Sequence, residues 1–327
     1  MNTKIPHLAV VITTFMRQQL LRQSLDAIAA LKVPPQKIIV VDNENSPETK
    51  AIVEAIPLAA YIPMEENLGG AGGFSRGIHE AYREGFEWIW VMDDDVEVLP
   101  GAIEKLSKWT ALTEADFAAG KSLDETATVY QGLRKDFDGR FFYWQYHFLN
   151  KLAIPNPIAP SKFKVNETSR PMNTACFEGS LFHRSIVEKI GLPDARFFIY
   201  WDDTVYGYLA SKHTKMLLVT DYVLQRTRSL ACLRIGTTRK LNSTSDMTRY
   251  CIMRNRGYIA RYLQLNGDFN RLIFGLGTVL TFGKEFIRLF VSKNVRSGFP
   301  RLWAGYRDSK VILKEKDWKP YSEIVPL

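Results

Sequence analysis

The chain has 327 residues, of which 46% are hydrophobic and 24% charged, with 43 Lys+Arg against 35 Asp+Glu. This composition provides apolar surface for one large or two smaller cores and excludes disorder as the dominant state. The formal charge of +8 is uneven: residues 226–327 hold 20 Lys/Arg and 7 Asp/Glu, whereas residues 1–225 hold 23 and 28.

The opening MNTKIPHLAVVITTF lacks the long apolar stretch and small-residue cleavage site of a secretory signal. Its residues 8–15 predict a buried strand, and Leu20, Leu21, Leu25, Ile28 and Leu31 then recur at helical spacing. KIIVVDN (37–43) reads as a second strand. Ser46-Pro47 follows as an N-cap with Pro at the first helical position, ahead of a helix over 48–56. A short strand near 59–63 precedes the glycine-rich NLGGAGGF (67–74), which leads into a helix to about Glu84. EWIWVM (87–92) is a fourth strand, ending at Asp93-Asp94-Asp95. Four strand–helix alternations in about 95 residues predict an α/β fold with a parallel sheet and right-handed crossovers. Ligands of such sheets bind outside the carboxyl ends of the strands. Thr13-Thr14, Asp42-Asn43, Asn67 and Asp93–Asp95 all fall at those ends. Beyond Pro100 the expectations are a helix over 101–112, strands over 117–132 and 139–148, and a Pro-bearing loop over 153–171. A strand over 172–183, helices over 184–191 and 203–212, and a strand over 215–224 come next, before a basic, mostly helical stretch from about 246.

Three adjacent carboxylates at a strand end repel one another unless cations or donors compensate. A divalent ion with phosphate oxygens is one solution, and strand alternation puts Asp93 and Asp95 on the same side. A solvated acidic turn is the other reading. The glycine run Gly69–Gly73 matches neither a dinucleotide fingerprint nor a P-loop. It suits either close approach of a sugar phosphate at a helix start or a plain turn. Trp201-Asp202-Asp203 follows the aromatic run Phe197-Phe198-Ile199-Tyr200. Aromatics beside carboxylates suit sugar chemistry, and a helix N-cap is compatible with the same residues. His7, His79, His147, His183 and His213 are scattered without zinc spacing, and no G-x-S-x-G elbow occurs. Cys176, Cys232 and Cys251 form no CxxC pair, which argues against a disulfide framework and fits a reducing compartment. Arg226, Arg228, Arg234, Arg239, Lys240, Arg249, Arg254, Arg256 and Arg261 are set against the single acid Asp246. Such a cluster suits either phosphate contact or a solvated loop. The apolar run 272–282 is shorter than the about 20 residues of a bilayer span. Its apolar face continues through Phe286, Ile287, Leu289, Phe290 and Val291 among cations, which predicts peripheral contact with an anionic membrane.

In order and spacing, VVITTF, VVDN, ENLGGAGGF, WIWVMDDD, CFEGSLF and FFIYWDDTVYGYLA resemble inverting family-2 glycosyltransferases of GT-A fold. Within that family they are most similar to the bacterial galactofuranosyltransferases, with rhamnosyltransferases using dTDP-rhamnose as the nearest confusable group. The resemblance covers roughly residues 5–260 and implies a Rossmann-like mixed sheet. It places a GT-A catalytic domain over 1–245, with a donor half to about 115 and an acceptor half after it, and a helical basic region over 246–327. It implies that Thr13, Phe15, Arg17, Asp42, Asn43, Asn67, Gly70 and Asp94 bind the donor nucleotide. Asp93 and Asp95 would hold Mn2+ or Mg2+, Asp203 would be the catalytic base, and Trp201, Asp202 and Glu178 would position the acceptor. The implied partners are a UDP-sugar and a lipid-linked glycan at the cytoplasmic face of the plasma membrane, with oligomerisation open. Nucleic acid is not expected, although a basic nucleic-acid-binding protein is the reading from another class. Members of the family place a metal-binding His downstream of W-D-D. Here that strand ends in Gln225, leaving Gln225, the earlier His213, or no third protein ligand.

Overall fold

The computed structural model describes residues 6–142, 147–155, 166–229, 232–235 and 239–327, with backbone alone over 232–235 and 239–242. The first half alternates as the apolar periodicity requires: β1 (Leu8–Thr14), α1 (Gln18–Ala29), β2 (Lys37–Asp42), α2 (Pro47–Glu54), β3 (Ala59–Pro63), α3 (Gly69–Arg83) and β4 (Trp88–Asp93). Then come β5 (Val96–Val98), α4 (Ala102–Ala118), β6 (Ala127–Lys135), a small hairpin of β7 (Phe148–Leu149) and β8 (Ile154–Pro155), and β9 (Ser169–Pro171). Next are β10 (Ser180–His183), α5 (Arg184–Ile190), a short 3-10 turn at Ala195–Phe197, α6 (Asp202–Ala210) and β11 (Lys215–Arg226). The chain ends with a ribbon of β12 (Cys232–Ile235) and β13 (Arg239–Asn242) and the helices α7 (Asp246–Arg254), α8 (Arg256–Leu265), α9 (Arg271–Val291), α10 (Val295–Lys314) and α11 (Tyr321–Ile324).

Among the described residues one sheet runs β3-β2-β1-β4-β10-β6-β11-β5, with β9 also on β11. The first four strands are parallel, β10 is inserted antiparallel between β4 and β6, and β11 runs parallel to β6. The sheet is therefore the mixed, Rossmann-like one expected of a GT-A fold, followed by the helical, charged C-terminal region. All seven residues of β1 are buried, because helices cover both faces and polar alternation has no use there. One face packs Val10, Ile12, Val40, Trp88 and Trp90 against Leu21, Leu25 and Ile28 of α1. The other packs Val11, Val41, Ile89 and Val91 against Phe74 and Ile78 of α3 and Tyr206 of α6. A third cluster joins Phe197, Trp201, Val205 and Tyr208 to Ile259, Tyr262 and Leu263 of α8.

Three expected elements differ. The strand expected from residue 117 begins only at Ala127, because α4 runs on to Ala118 with Thr110 and Thr113 on its buried side and stops near Gly120, whose φ is +79°. The strand expected over 139–148 is reduced to a bridge at Phe141 and the start of β7, with 143–146 outside the described residues. The strand expected over 172–183 pairs only from Ser180, because Gly179 at φ +110° and a Ser180 N–H to Cys176 carbonyl bond make a turn of 176–180. Part of the loop expected over 153–171 lies outside the described residues.

Candidate active site

In register, Thr13 stands beside Asp93 and Thr14 beside Asp42, so β1, β2 and β4 end level at one carboxyl edge. Alternation sends Ile89 and Val91 to the α3 side, and Asp93 continues that series. Asp94 turns the other way. Its buried carboxylate accepts from Thr14 Oγ1 at 2.7 Å and from Arg17 Nη1 at 2.9 Å. Each of its oxygens thus accepts one bond, and Asp94 organises Thr14 and Arg17 at the edge. Asp95 accepts from Arg228 Nε at 2.9 Å and Nη2 at 2.8 Å, with Arg17 Nη1 at 3.6 Å. Burial, and then the charges of Asp95, Glu178 and Asp94, push the Asp93 carboxyl well above the usual carboxylate range.

The turn from Cys176 to Gly179 closes the next side. It is tied to the parallel strands by Gly179 N–H to Val91 O at 2.8 Å and by Trp90 Nε1 to Gly179 O at 3.0 Å. Glu178 is buried between Arg134 and Arg226, in contact with the first and 3.4 Å from the second. Phe142 lies under both guanidinium groups. Glu178 is therefore paired with cations on two sides. Beyond the turn, Asp203 stands in the first turn of α6. Burial raises its pKa, while hydrogen bonds from Thr204, Cys176 and the Phe177 backbone pull it down. Thr204 N lies 2.5 Å and its Oγ1 3.1 Å from Asp203 Oδ1.

The segment before α6 is strained. Phe198, Tyr200 and Trp201 all have positive φ, 63°, 69° and 75°, which non-glycine residues adopt only when their surroundings compel it. Asn255 supplies the compulsion: its Nδ2 lies 2.9 Å from Phe197 O, 3.0 Å from Ile199 O and 2.8 Å from Tyr200 O. Arg254 Nη2 adds bonds to Arg196 O and Phe197 O. Against this segment lies the glycine run, which is not a loop but the first turns of α3. Gly69, at φ +68°, approaches Phe198 so closely that a Cβ would meet its carbonyl oxygen at 2.1 Å. Gly70 faces open space.

Several sequence-derived residues take other places. Trp201 is only 7% exposed and donates from Nε1 to Ile252 O at 3.2 Å, so its ring packs in the core and the exposed aromatic beside Asp203 is Tyr200. Asp202 faces a cavity of about 160 Å³ lined by Asp194, Tyr262 and His213, behind α6. The fully buried Asp42 accepts from Glu44 N, Ser46 N and Tyr61 Oη and so builds its own loop. Asn43 bonds Leu68 N and Gly69 O, and Asn67 bonds Gly69 N, holding the start of α3 at the edge. Thr13 packs on α3, and Phe15 is exposed just past β1. Arg249, Arg254, Arg256 and Arg261 do not gather toward a phosphate. They bond Asp246 and Thr244, the 196–197 carbonyls, the 152–153 carbonyls and Ile312 O respectively. The side chains of Arg234, Arg239 and Lys240 lie outside the described residues.

A carboxyl opposed by three neighbouring carboxylates is a natural seat for a cation. Magnesium-type ions are commonly held by one or two carboxylates, with substrate phosphates completing the shell. Asp93 stands free for that role, whereas Asp95 would share its carboxylate with Arg228 and Arg17. Among the described residues no group of three or more His, Cys, Asp or Glu is arranged to hold a metal unaided. Gln225 sits in the ladder at the end of β11, between Glu97 and Lys135. His213 precedes β11, beside the start of β6 and therefore at the opposite edge of the sheet, too far to be recruited. Arg134, Cys176 and Asn255 were invisible as site residues in the sequence. Only the position of Arg226 and Arg228 just past an apolar strand signalled them.

Residues 9–191 match the family model described as Glycosyl transferase family 2. A galactofuranosyltransferase of Mycolicibacterium smegmatis is 31% identical over 199 residues, covering 59% of this chain and 61% of the relative. The chain thus spans about three fifths of the length of this curated relative. Among solved structures, residues 1–349 of Staphylococcus aureus TarS align with TM-score 0.57 at 14% identity, over 94% of this chain and 81% of that one. A mannosyltransferase of Pyrobaculum calidifontis, in complex with GDP-Man and Mn2+, aligns with TM-score 0.51 at 12% identity, over 95% and 86%.

Proposed function

The chain belongs to glycosyl transferase family 2, and from that premise we propose that it transfers galactofuranose from UDP-galactofuranose, with inversion, to a glycan on a polyprenyl diphosphate at the cytoplasmic face of the membrane. The observation that carries this reading is the Cys176–Gly179 turn. It is bound to β4 on one side and to Asp203 on the other, which sets a candidate base across from the Asp93/Asp95 pair at one sheet edge. The 31% identity to a galactofuranosyltransferase supports the choice of sugar.

Asp203 takes the proton from the acceptor hydroxyl, and the oxygen attacks the anomeric carbon on the side opposite the departing UDP. The hydrogen bonds to its carboxylate aim it and offset part of the rise that burial causes. Arg17 and Arg228 bring positive charge to the edge where the diphosphate leaves. Asp93 and Asp95 would hold a divalent cation, which when bound supplies charge neutralisation to the leaving group. Trp201 and Asp202 act from behind, fixing the start of α6, and acceptor contact passes to Tyr200 and the rim of Glu178. The catalytic domain over 1–245 leans on α7 and α8, which hold the 197–201 segment and the start of α6, and α9 and α10 serve docking.

The test is UDP or dTDP release across a donor panel with a polyprenyl-diphosphate-linked acceptor, with Mn2+, Mg2+ or chelator. Release is expected from UDP-galactofuranose and loss with chelator. Equal or faster release from dTDP-rhamnose overturns the donor assignment, and full activity in chelator overturns the metal.

A further inference from the structure

No helix among the described residues is long and apolar enough to cross a membrane, yet α9 presents a long apolar face. Leu272, Leu276, Val279, Leu280, Phe286, Ile287 and Phe290 are exposed, Leu272 by 83%, Val279 by 67% and Phe290 by 73%. At 100° per residue they and Gly283 fall within an arc of about 120° that holds no charged residue, along a helix about 30 Å long. The opposite face is committed. Phe274, Thr278, Thr281, Arg288 and Leu289 are buried, and the only acid of α9, Glu285, is wholly buried and paired with Arg249 and Arg288.

The C-terminal half of the stripe is flanked by aromatics from α10. Phe286 meets Phe299 edge-on at 6.1 Å, and Phe299 stacks on the half-exposed Trp303 at 6.5 Å. Amphipathic rings at the rim of an apolar face are the composition of an interfacial helix. Exposed Arg271 begins the helix and exposed Lys293, Arg296 and Arg301 follow its end. Residues 271–327 as a whole carry 11 Lys/Arg and 5 Asp/Glu.

We infer that the outer face of α9, with Phe299 and Trp303, lies in the plane of an anionic lipid bilayer. A second copy of this chain suits the face less well. An isologous two-fold contact with the helices antiparallel would bring Arg271 of one copy toward Lys293 and Arg296 of the other, like charge on like. Anionic headgroups satisfy the cations at both ends while acyl chains take the stripe between them. The surface is read from α9 and α10 alone and holds whichever sugar the sheet edge transfers.

The full chain is sedimented with phosphatidylcholine vesicles and with vesicles containing phosphatidylglycerol, in dilute and concentrated salt. Binding is expected to be at least about tenfold stronger to the anionic vesicles in dilute salt and to fall as salt rises. The pair Leu276→Glu, Phe290→Glu is expected to reduce it by about tenfold or more, and Lys293→Gln with Arg296→Gln several-fold. UDP binding and the thermal midpoint of these surface variants report that the fold is intact. A wild-type chain that ignores anionic vesicles in dilute salt overturns the inference. So does a dimer in sedimentation velocity that Leu276→Glu dissolves while vesicle binding persists.

Discussion

Asp202 and Asp203 are adjacent, and α6 turns them about 100° apart, to different surroundings. Asp203 faces the Cys176 turn, and Asp203→Asn is expected to reduce transfer by about 10³-fold or more while UDP affinity, measured by calorimetry, stays within a few-fold. Burial raises its pKa and the Thr204 bonds oppose that rise. Thr204→Val removes one donor, so the acid limb of kcat/KM should move to higher pH, and an unmoved limb would take the base role from Asp203. Asp202 faces the cavity behind, where burial, and then the charge of Asp203, push its carboxyl up to about 8. An acid with a raised folded-state pKa binds its proton more tightly in the native state. The stability it contributes is complete below its unfolded pKa of about 4 and is lost as pH rises through about 8. Asp202→Asn should therefore raise the melting temperature by roughly 2 °C or more at pH about 8.5 and leave it nearly unchanged near pH 4, by scanning calorimetry.

At the level of elements, α3 and the 197–201 segment set the geometry of the edge. A Cβ on Gly77 would lie 2.3 Å from Val11 Cγ1 in the central strand. Overpacking of about 1–3 kcal/mol outweighs a helix-propensity gain of at most about 1. Gly77→Ala is thus expected to lose about 1–2 kcal/mol in urea unfolding. Asn255 clamps three carbonyls of a segment with three positive-φ residues. Asn255→Ala should lower kcat by about 10–100-fold with donor KM little changed, because it frees the loop that aims Asp203. Of the four parallel strands, β1, β2 and β4 were legible because burial on both faces writes them as uninterrupted apolar runs, and the half-buried edge strand β3 because its short apolar run follows a capped helix. The acidic triplet and W-D-D were legible because they interrupt or follow such runs. β10 was misread as longer, since an antiparallel strand of four residues leaves too little pattern to separate it from the turn before it. The arginines were misread as one group because a guanidinium that caps buried carbonyls, as Arg256 does, has the same letter as one that meets a carboxylate at the edge, as Arg228 does.

At the scale of the whole molecule, the charge asymmetry along the chain acquires a direction. The acidic strand ends lie in the first 225 residues and the exposed cations gather on the helices after them. With a polyprenyl-linked acceptor in anionic vesicles, turnover should fall about tenfold between low and high salt, whereas turnover of a soluble acceptor analogue should stay within about twofold. Equal salt sensitivity for both acceptors would place the effect at the active site instead of the bilayer.

The antiparallel β10 has a mechanical consequence. It is hydrogen-bonded to β4 on one side and β6 on the other, so the parallel strands that end at Thr14, Asp42 and Asp93 and the strands beyond β10 belong to one woven plate. A plate of this kind has no seam along which two lobes can swing. Any opening for substrates is then left to the segments at its rim, the chain around Phe15 and the Tyr200 segment, while Asp93 and the Cys176–Gly179 turn stay tied to one hydrogen-bonded frame.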